Sequence, residues 1–542
     1  MKKIYLSALF AGLGTLAAFG QDFYETTYRG AFAPAPTTMW TAGWANWNPQ
    51  STNYGSPNQT ISANITANTT WTAGNVYLLQ GQIYVKNNAT LTIEPGTVIM
   101  GDKSVLGSGL FITKGAKLIA EGTENSPIVF TSNQPAGSRA AGDWGGIILM
   151  GKATTNITGG VANIEGIATS VDTEYGGGAS PVNTDNSGVL KYVRVEFPGY
   201  AYQQDKEING ITFGAVGSET VVDFVQVSFS NDDSYEWFGG AVNAKHLVAY
   251  RGLDDDFDTD NGYSGKVQFG LIVRDPDIAD QSPASTSEGF ESDNDASGSA
   301  NAPFTNAVFT NITAIGPFRG TVDMTAIDPK FRRGARIRRN SRLNIRNSVF
   351  MDFPTGIHID GTASEANATG GLLIYKNNIV AGNVPGKVKE KAAASTFAIT
   401  AWFESNNNDS LATTAGILTT PYNYLNPDYR PAANSPLLSG ADFTGMSTGL
   451  GIEEVSSIAN VSLYPNPTTS NAYLFVDVAQ NSTLEVLVMN ANGQVMQKIA
   501  NTYAEVGTHQ FTINAADFAQ GLYYAVVKSG DAIKTVKLSV VK

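Results

Sequence analysis

"NDDSYEWFGG", residues 231–240, and "LDDDFDTDNG", residues 253–262, align residue for residue at an offset of 22. Asp232 falls on Asp254, Asp233 on Asp255, Tyr235 on Phe257, Glu236 on Asp258 and Gly240 on Gly262. The apolar segments just upstream, VDFVQVSFS (222–230) and AKHLVAYRG (244–252), superpose at the same offset. A third copy, FESDN (290–294), matches FDTDN (257–261) after 33 residues, which is the same period plus the insertion DPDIADQSPAS. Working outward, residues 74–132 consist of short runs (VYLL, QIYV, LTI, TVIM, LFIT, KLIA, PIVF) punctuated by Gly, Asn and Pro, with no 3.6-residue period. A fixed repeat built of strands and tight turns predicts a solenoid in which one repeat makes one coil.

Residues 71 to about 380 resemble a right-handed parallel β-helix, whose coils use roughly this length and stack their strands about 4.8 Å apart. The segments LNIRNSVFMDFPTGIHIDG (343–361) and GGLLIYKNNIVAG (370–382) read as further coils. The expected fold class is therefore all-β, a right-handed parallel β-helix over residues 71–385 followed by a small antiparallel β-sandwich. Residues 386–457, which open with the alanine-rich GKVKEKAAASTFAITAWFESNNNDSLA, are expected to cover the open end of the solenoid and lead into the next domain. Residues 21–70 are expected to cap the first coil. They include TTMWTAGWANWNPQ, with three of the seven tryptophans; stacking on sugar rings is the alternative use of those side chains.

Composition agrees with this plan. The chain has 542 residues, 56 of them glycine, and only 15% are charged, as in a turn-rich all-β protein. The formal charge of −13 disfavours nucleic acid and anionic membranes and favours bound cations. With no cysteine, disulfides, thiolate metal sites and cysteine catalysis are excluded. The first twenty residues, MKKIYLSALFAGLGTLAAFG, have two lysines, a short apolar run and the small-residue end Ala18-Phe19-Gly20. That predicts a signal peptide, a mature chain from Gln21 and an exported, soluble protein, since no later stretch has the ~18 apolar residues of a membrane helix.

Beyond Gly451 the strands alternate with period two, as in Leu484, Val486 and Val488 before the Asn492-Gly493 turn, which predicts a small sandwich over 458–542. Tyr464-Pro465-Asn466-Pro467, the MNANGQ turn (489–494), Gly521-Leu522-Tyr523 and the lysine-bearing last strand are together similar to the type A C-terminal sorting domain of the type IX secretion system of Bacteroidetes. The resemblance implies handling by the type IX secretion machinery, passage across the outer membrane, and a body that ends attached to the cell surface or released. A monomer without a transmembrane segment is expected.

Stacking the repeats brings Asp232 over Asp254 and Glu236 over Asp258. Carboxylates about 5 Å apart repel by roughly 3 kcal/mol at an effective dielectric of 20. A cation, protonation or splaying into solvent must relieve that repulsion. Calcium suits it, taking 6–8 oxygen ligands at about 2.4 Å. The expected metal ligands are Asp232, Asp233, Glu236, Asp254, Asp255, Asp256, Asp258, Asp260, Glu291 and Asp293; the opposing reading leaves them solvated at the coil corners. An EF-hand is excluded, because Asn261 and Val267 stand where that loop needs glycine and a bidentate acid.

KFRRGARIRRNSRLNIR, residues 330–346, holds eight basic residues in seventeen. Arg336, Arg338 and Arg342 either line a groove for an acidic polysaccharide such as a uronate or pair with the acidic coils below. Parallel β-helices include polysaccharide lyases, in which calcium neutralises a carboxylate while an Arg or Lys abstracts the adjacent proton. Asp255-Asp256-Phe257-Asp258 is similar to the D-D-G-F-D calcium segment of one such group, with Asp256 in place of the glycine. That resemblance makes Lys245, Lys266, Arg251 and Arg274 candidate bases. His246, His358 and His509 are isolated, and no G-x-S-x-G, H-E-x-x-H or P-loop is present. The expected function is that of a secreted or cell-surface, calcium-binding β-helix protein with an adhesive or carbohydrate-binding role. The alternatives are a calcium-dependent lyase of acidic glycans and an inert scaffold.

Overall fold

The computed structural model describes residues 23–203, 206–283, 285–446, 458–478, 481–490, 494–529 and 532–542; the expected signal peptide lies outside them. Two compact units divide at Gly449 and Leu450.

In the first unit successive coils each contribute one strand to a ten-stranded parallel sheet that runs from Gln82–Val85, to which Ile65 of the preceding coil adds a single bridge, through Tyr235–Phe238, Phe257–Asp260 and Phe290–Ser292 to Lys389–Lys391. The 22-residue offset is one coil: Tyr235 pairs with Phe257 and Glu236 with Asp258, while on the far side Val222 pairs with Ala244. The third copy also falls in register, with Phe257 on Phe290 and Asp258 on Glu291. The repeated glycine has a steric cause. Gly240 and Gly262 end their strands at φ +80° and +84°, and a Cβ there would lie 2.5 Å from the Val216 carbonyl oxygen or 2.6 Å from that of Pro303.

The remaining two faces come from long strands that bend. Gly188–Glu196, Val221–Ser228, Asn243–Tyr250, Lys266–Val273 and Val308–Ile315 stack in register except at Tyr192, Phe224, His246, Phe269 and Asn311, all of which have positive φ. A left-handed residue in mid-strand turns the chain from one face to the next, at a steric cost for any side chain with a Cβ. Stacking offsets that cost: Tyr192–Phe224, Phe224–His246 and His246–Phe269 ring centroids are 4.5, 4.2 and 5.0 Å apart.

Inside the coils a column of buried aromatics (Phe213, Trp237, Phe257, Phe290, Phe350, Tyr375) ends on Phe403 of the helix Ile399–Ser405, which closes the bore. This helix lies within residues 386–457, the segment expected to cover that end. Residues 389–391 and 409–411 are nonetheless strands of the last coils, so the solenoid runs beyond 385; it also starts earlier than 71, at Gln59–Ile61.

The amino-terminal segment is not the expected cap. Residues 23–54 lie along the flank: Tyr24 exchanges hydrogen bonds with Gln268, Asn46 with Gln226, and Tyr54 Oη donates to Glu196. Trp44 packs edge-on against Tyr192 and Phe224, and Trp47 against Tyr250 and Tyr429. These tryptophans neither cover the first coil nor stand ready for sugars. They bind the belt to the bent strands.

The second unit is the expected sandwich, with an antiparallel three-stranded sheet and a four-stranded one, and Leu484, Val486 and Val488 buried together.

Candidate functional site

The outward side chains of the ten-stranded sheet form one continuous row. Register places Tyr84, Phe111, Ile148, Thr212, Glu236, Asp258, Glu291, Arg336, His358 and Glu390 in succession. The row is apolar, then acidic, then mixed. Its apolar part is roofed by an excursion that places Ile164 and Tyr175 over Phe111, Ile148 and Met150. Lys86 holds Asp172 of that roof at 2.5 Å, and Lys114 pairs with its Glu174. Where the roof stops, a groove of about 310 Å³ opens over the acids, walled by Ile164, Glu165, Asn209, Asp280 and Ser285 and closed below by Arg336 and Arg338.

Two carboxylate triads share Asp233: Asp232, Asp233 and Asp254, and Asp233, Glu236 and Asp258, each with oxygens within 4.8 Å of one another. Burial raises all of these pKa values for which a shift is found, and the neighbours raise them further. Glu236 stands well above the carboxylate range through burial, then Asp258 and Asp232. Asp233 does so through burial, then Asp232 and Asp258, and Asp254 through burial, then Asp232. Asp258 follows from burial, then Glu291 and Asp255. Its Oδ1 is sequestered from solvent with no hydrogen-bond partner. Asn209 Nδ2 donates to Glu236, and Ser285 Oγ to both oxygens of Asp254, at 2.8 and 3.0 Å. Among the described residues no ion pair reaches Asp233, Glu236 or Asp258.

The donor set fits a hard cation. It is all oxygen, and two ligands about 2.4 Å from one ion lie up to roughly 4.8 Å apart, the spacing of these triads. Asp233, Glu236 and Asp258 would hold such an ion, with Asp232 and Asp254 beside them. An orphaned Asp258 oxygen is what a missing ligand contact would leave.

The other expected ligands do different work. Asp255 is buried; its Oδ1 accepts the Glu288 N–H at 2.6 Å, as Asp233 Oδ1 accepts the Asp255 N–H at 3.0 Å, so the two side chains splice successive coils. Asp256 is fully buried and lies 2.7 Å from Arg274 Nε, with burial raising its pKa to about 7 against that arginine. Asp260 accepts its neighbour Asn261 N–H and sits at about 7 through burial and Asp293. Glu291 pairs with Arg336 and Arg338, and Asp293 with Arg338 and Arg339 at 2.8 and 2.6 Å. Arginines neutralise these two acids, so neither belongs to the cation cluster.

The same pairs answer the question of the basic run. Arg336 also holds Asp360 at 2.7 Å, and Arg342 stacks on Phe304, 3.3 Å from the ring centroid. Arg336 and Arg338 touch the groove with their charge already matched, and Arg342 lies outside it.

None of the four candidate bases lines the groove. Lys245 and Lys266 project from another face, under Tyr24 and Phe23 of the belt. Arg251 binds Asp275, and Arg274 is wholly buried, donating to the Gly252 and Glu288 carbonyls. Sequence reasoning missed Glu165, Asp280 and Ser285, which come from excursions outside the repeat, Asn209, which holds in the preceding coil the register position of Asp233, and Glu288, which binds Arg333 at 2.8 Å. Only the insertion length around Asp280 hinted at a wall there.

A family described as the pectate-lyase-like β-helix domain matches residues 63–420. The chain belongs to this family. Residues 462–542 match the secretion system C-terminal sorting domain. That domain implies handling by the type IX secretion machinery and secretion to the cell surface or extracellular space; no helix among the described residues is long and apolar enough to cross a membrane. Among solved structures, the β-helix protein is similar to full-length tailspike protein 2 of the Escherichia coli O157:H7 bacteriophage CAB120, at 10% identity and a TM-score of 0.22, over 86% of this chain. The match spans 65% of the tailspike's own length. No curated protein matches.

Proposed function

We propose that this secreted β-helix protein binds calcium in the open acidic groove and uses the site in an adhesive or carbohydrate-binding role. The observation that carries the reading is Asp258, whose Oδ1 is buried without a partner while Asp233 and Glu236 crowd it within 4.8 Å. Side chains that could neutralise the triad lie two coils beyond Asp258, yet they are committed to Glu291 and Asp293. A divalent ion removes the repulsion that the fold otherwise builds in.

The calcium-dependent lyase is the weaker reading, because proton abstraction needs a base within hydrogen-bond reach of the bound substrate. Lys245, Lys266, Arg251 and Arg274 are all held elsewhere. Elemental analysis of the purified mature protein, with melting in calcium and in chelator, tests the main reading. About one or two calcium ions per chain and a lower melting temperature in chelator are expected; no metal and identical melting would overturn it. Release of unsaturated uronate from acidic glycans, abolished by chelator, would instead establish the lyase.

A further inference from the structure

The two ends of the solenoid are finished differently. At the carboxy-terminal end Phe403 and Ile399 of a helix close the bore, and the outermost strand of the ten-stranded sheet is Lys389-Glu390-Lys391. Charges on a terminal strand prevent other chains from pairing with it. At the amino-terminal end Trp71, 2% exposed and stacked on Tyr77, closes the bore. Gln59–Ile61 pairs only with Val76–Leu79, Thr69–Trp71 only with Thr90–Ile93, and Ile65 forms a single bridge to Val85. Among the described residues nothing pairs with their outer edges, and the tryptophan-rich segment that could have covered them lies on the flank.

The composition of this end is unusual for the chain. No charged residue occurs between Arg29 and Lys86, although 15% of the whole sequence is charged. Apart from Ile61, Ile65 and Trp71, the side chains of residues 59–71 are Gln, Thr, Ser, Asn and Ala, and Gln59, Thr60 and Thr70 are exposed. The spacing is also symmetric: three paired residues, 59–61, stand as far before Ile65 as the other three, 69–71, stand after it. A twofold axis at Ile65, perpendicular to the solenoid, would lay 59–61 of one copy antiparallel on 69–71 of another, and the reverse, with Thr60 opposite Thr70 in both.

We propose that this edge is an interface for a second copy of the same chain, joined head to head by strand pairing across a twofold axis. An identical partner fits the charge balance. Two chains of formal charge −13 repel over most of their surfaces, and an uncharged self-complementary end lets them meet without juxtaposing like charges. The interface would replace the expected monomer with a dimer and set the two acidic grooves on one rigid body, a bivalent arrangement. It stands independently of what the grooves bind.

The test is sedimentation of the full mature chain over a concentration series, for wild type, Thr60→Lys/Thr70→Lys and Thr60→Lys/Thr70→Glu, with circular dichroism as the folding control. Wild type should sediment at twice the chain mass. The double lysine variant should dissociate at least ten times more readily, because lysines face lysines. The lysine-glutamate variant should recover the dimer, since each lysine then meets a glutamate of the other copy. Hydrogen exchange at 59–61 and 69–71 in wild type should slow as concentration rises, a readout that needs no variant. Monomeric wild type at about 100 µM, too weak for a specific dimer, or a dimer indifferent to both variants, would overturn the proposal; capture of a strand from a different protein by a monomeric wild type counts against it equally.

Discussion

Ile148 and Asp258 occupy the same row of the same sheet three coils apart, and their surroundings are opposite. Around Ile148 the chain leaves the repeat to build a roof, and the row beneath is apolar and buried. Around Asp258 the excursions stand back as walls, and the row is acidic and open. Backbone geometry is shared, so the difference lies in side chains and loops alone. A repeat fold can thus keep one regular scaffold while one stretch of its surface serves stability and the next accumulates unfavourable charge. Concentrated repulsion that the rest of the fold could easily have avoided is the mark of a site.

The comparison breaks most severely if the acidic row is pushed under the roof. Ile148→Glu places an unpaired carboxylate among Phe111, Met150 and Tyr175, where it has no counter-ion and no water. A loss of roughly 4 kcal/mol is expected, read as a fall in the denaturation midpoint that calcium does not restore. The reverse exchange should sharpen the comparison. Asp258→Asn removes one charge from the triad while keeping its shape, so in chelator the variant should melt above wild type. In saturating calcium it should melt below, having lost most of a stabilisation of about 3 kcal/mol. A variant that shifts the same way in both conditions would separate Asp258 from any metal.

pH supplies the next effect. The carboxyls of the open stretch titrate far above ordinary carboxylates, Glu291 at about 7 and Glu236, Asp233 and Asp258 raised without a neutralising partner. A group whose folded pKa is raised contributes stability that is present below its unfolded pKa, near 4, and lost as pH climbs through the folded value. Metal-free protein should therefore weaken as pH rises from about 4 through the folded value of Glu291, about 7, and beyond. Calcium needs the ionised forms, so its stabilisation should grow over that window, by about 1.4 kcal/mol per pH unit for each proton displaced. Scanning fluorimetry with and without calcium measures both trends, and an interval between the two melting temperatures that is constant with pH would contradict them.

The scaffold was largely legible because its signal is a count. A 22-residue offset that keeps aromatic on aromatic and acid on acid is a statement about register, and register fixes which side chains become neighbours. What the count could not show is which way a corner residue points. Asp256 belongs to the same acidic run as Asp258 but turns into the interior against Arg274, and Asp255 spends its oxygen on the next coil's backbone. The bends at Phe224 and His246 were hidden for a related reason. A left-handed residue inside a strand leaves the hydrophobic pattern intact on either side, so only the stacking partners reveal it. The tryptophan belt and the groove walls around Glu165 and Asp280 lie outside the repeat, where periodicity carries no information.

The smallest effect concerns the boundary between the two stretches. Lys86 and Lys114 are the cations of the roofed stretch, each holding an acid of the roof with both partners partly exposed. Exposed pairs of this sort contribute under about 1 kcal/mol each, because solvent screens the attraction and ordering two long side chains opposes it. Apolar contacts of Ile164 and Tyr175 carry the rest of the attachment. Lys86→Met should then lower global stability only slightly. If the roof depends mainly on burial, hydrogen exchange within 162–175 should remain slow in the variant, and calcium stabilisation should be unchanged. Rapid exchange there, with a weaker calcium effect, would mean that the lysines hold the wall of the groove as well as its roof, and the two stretches of the row would be one mechanical unit.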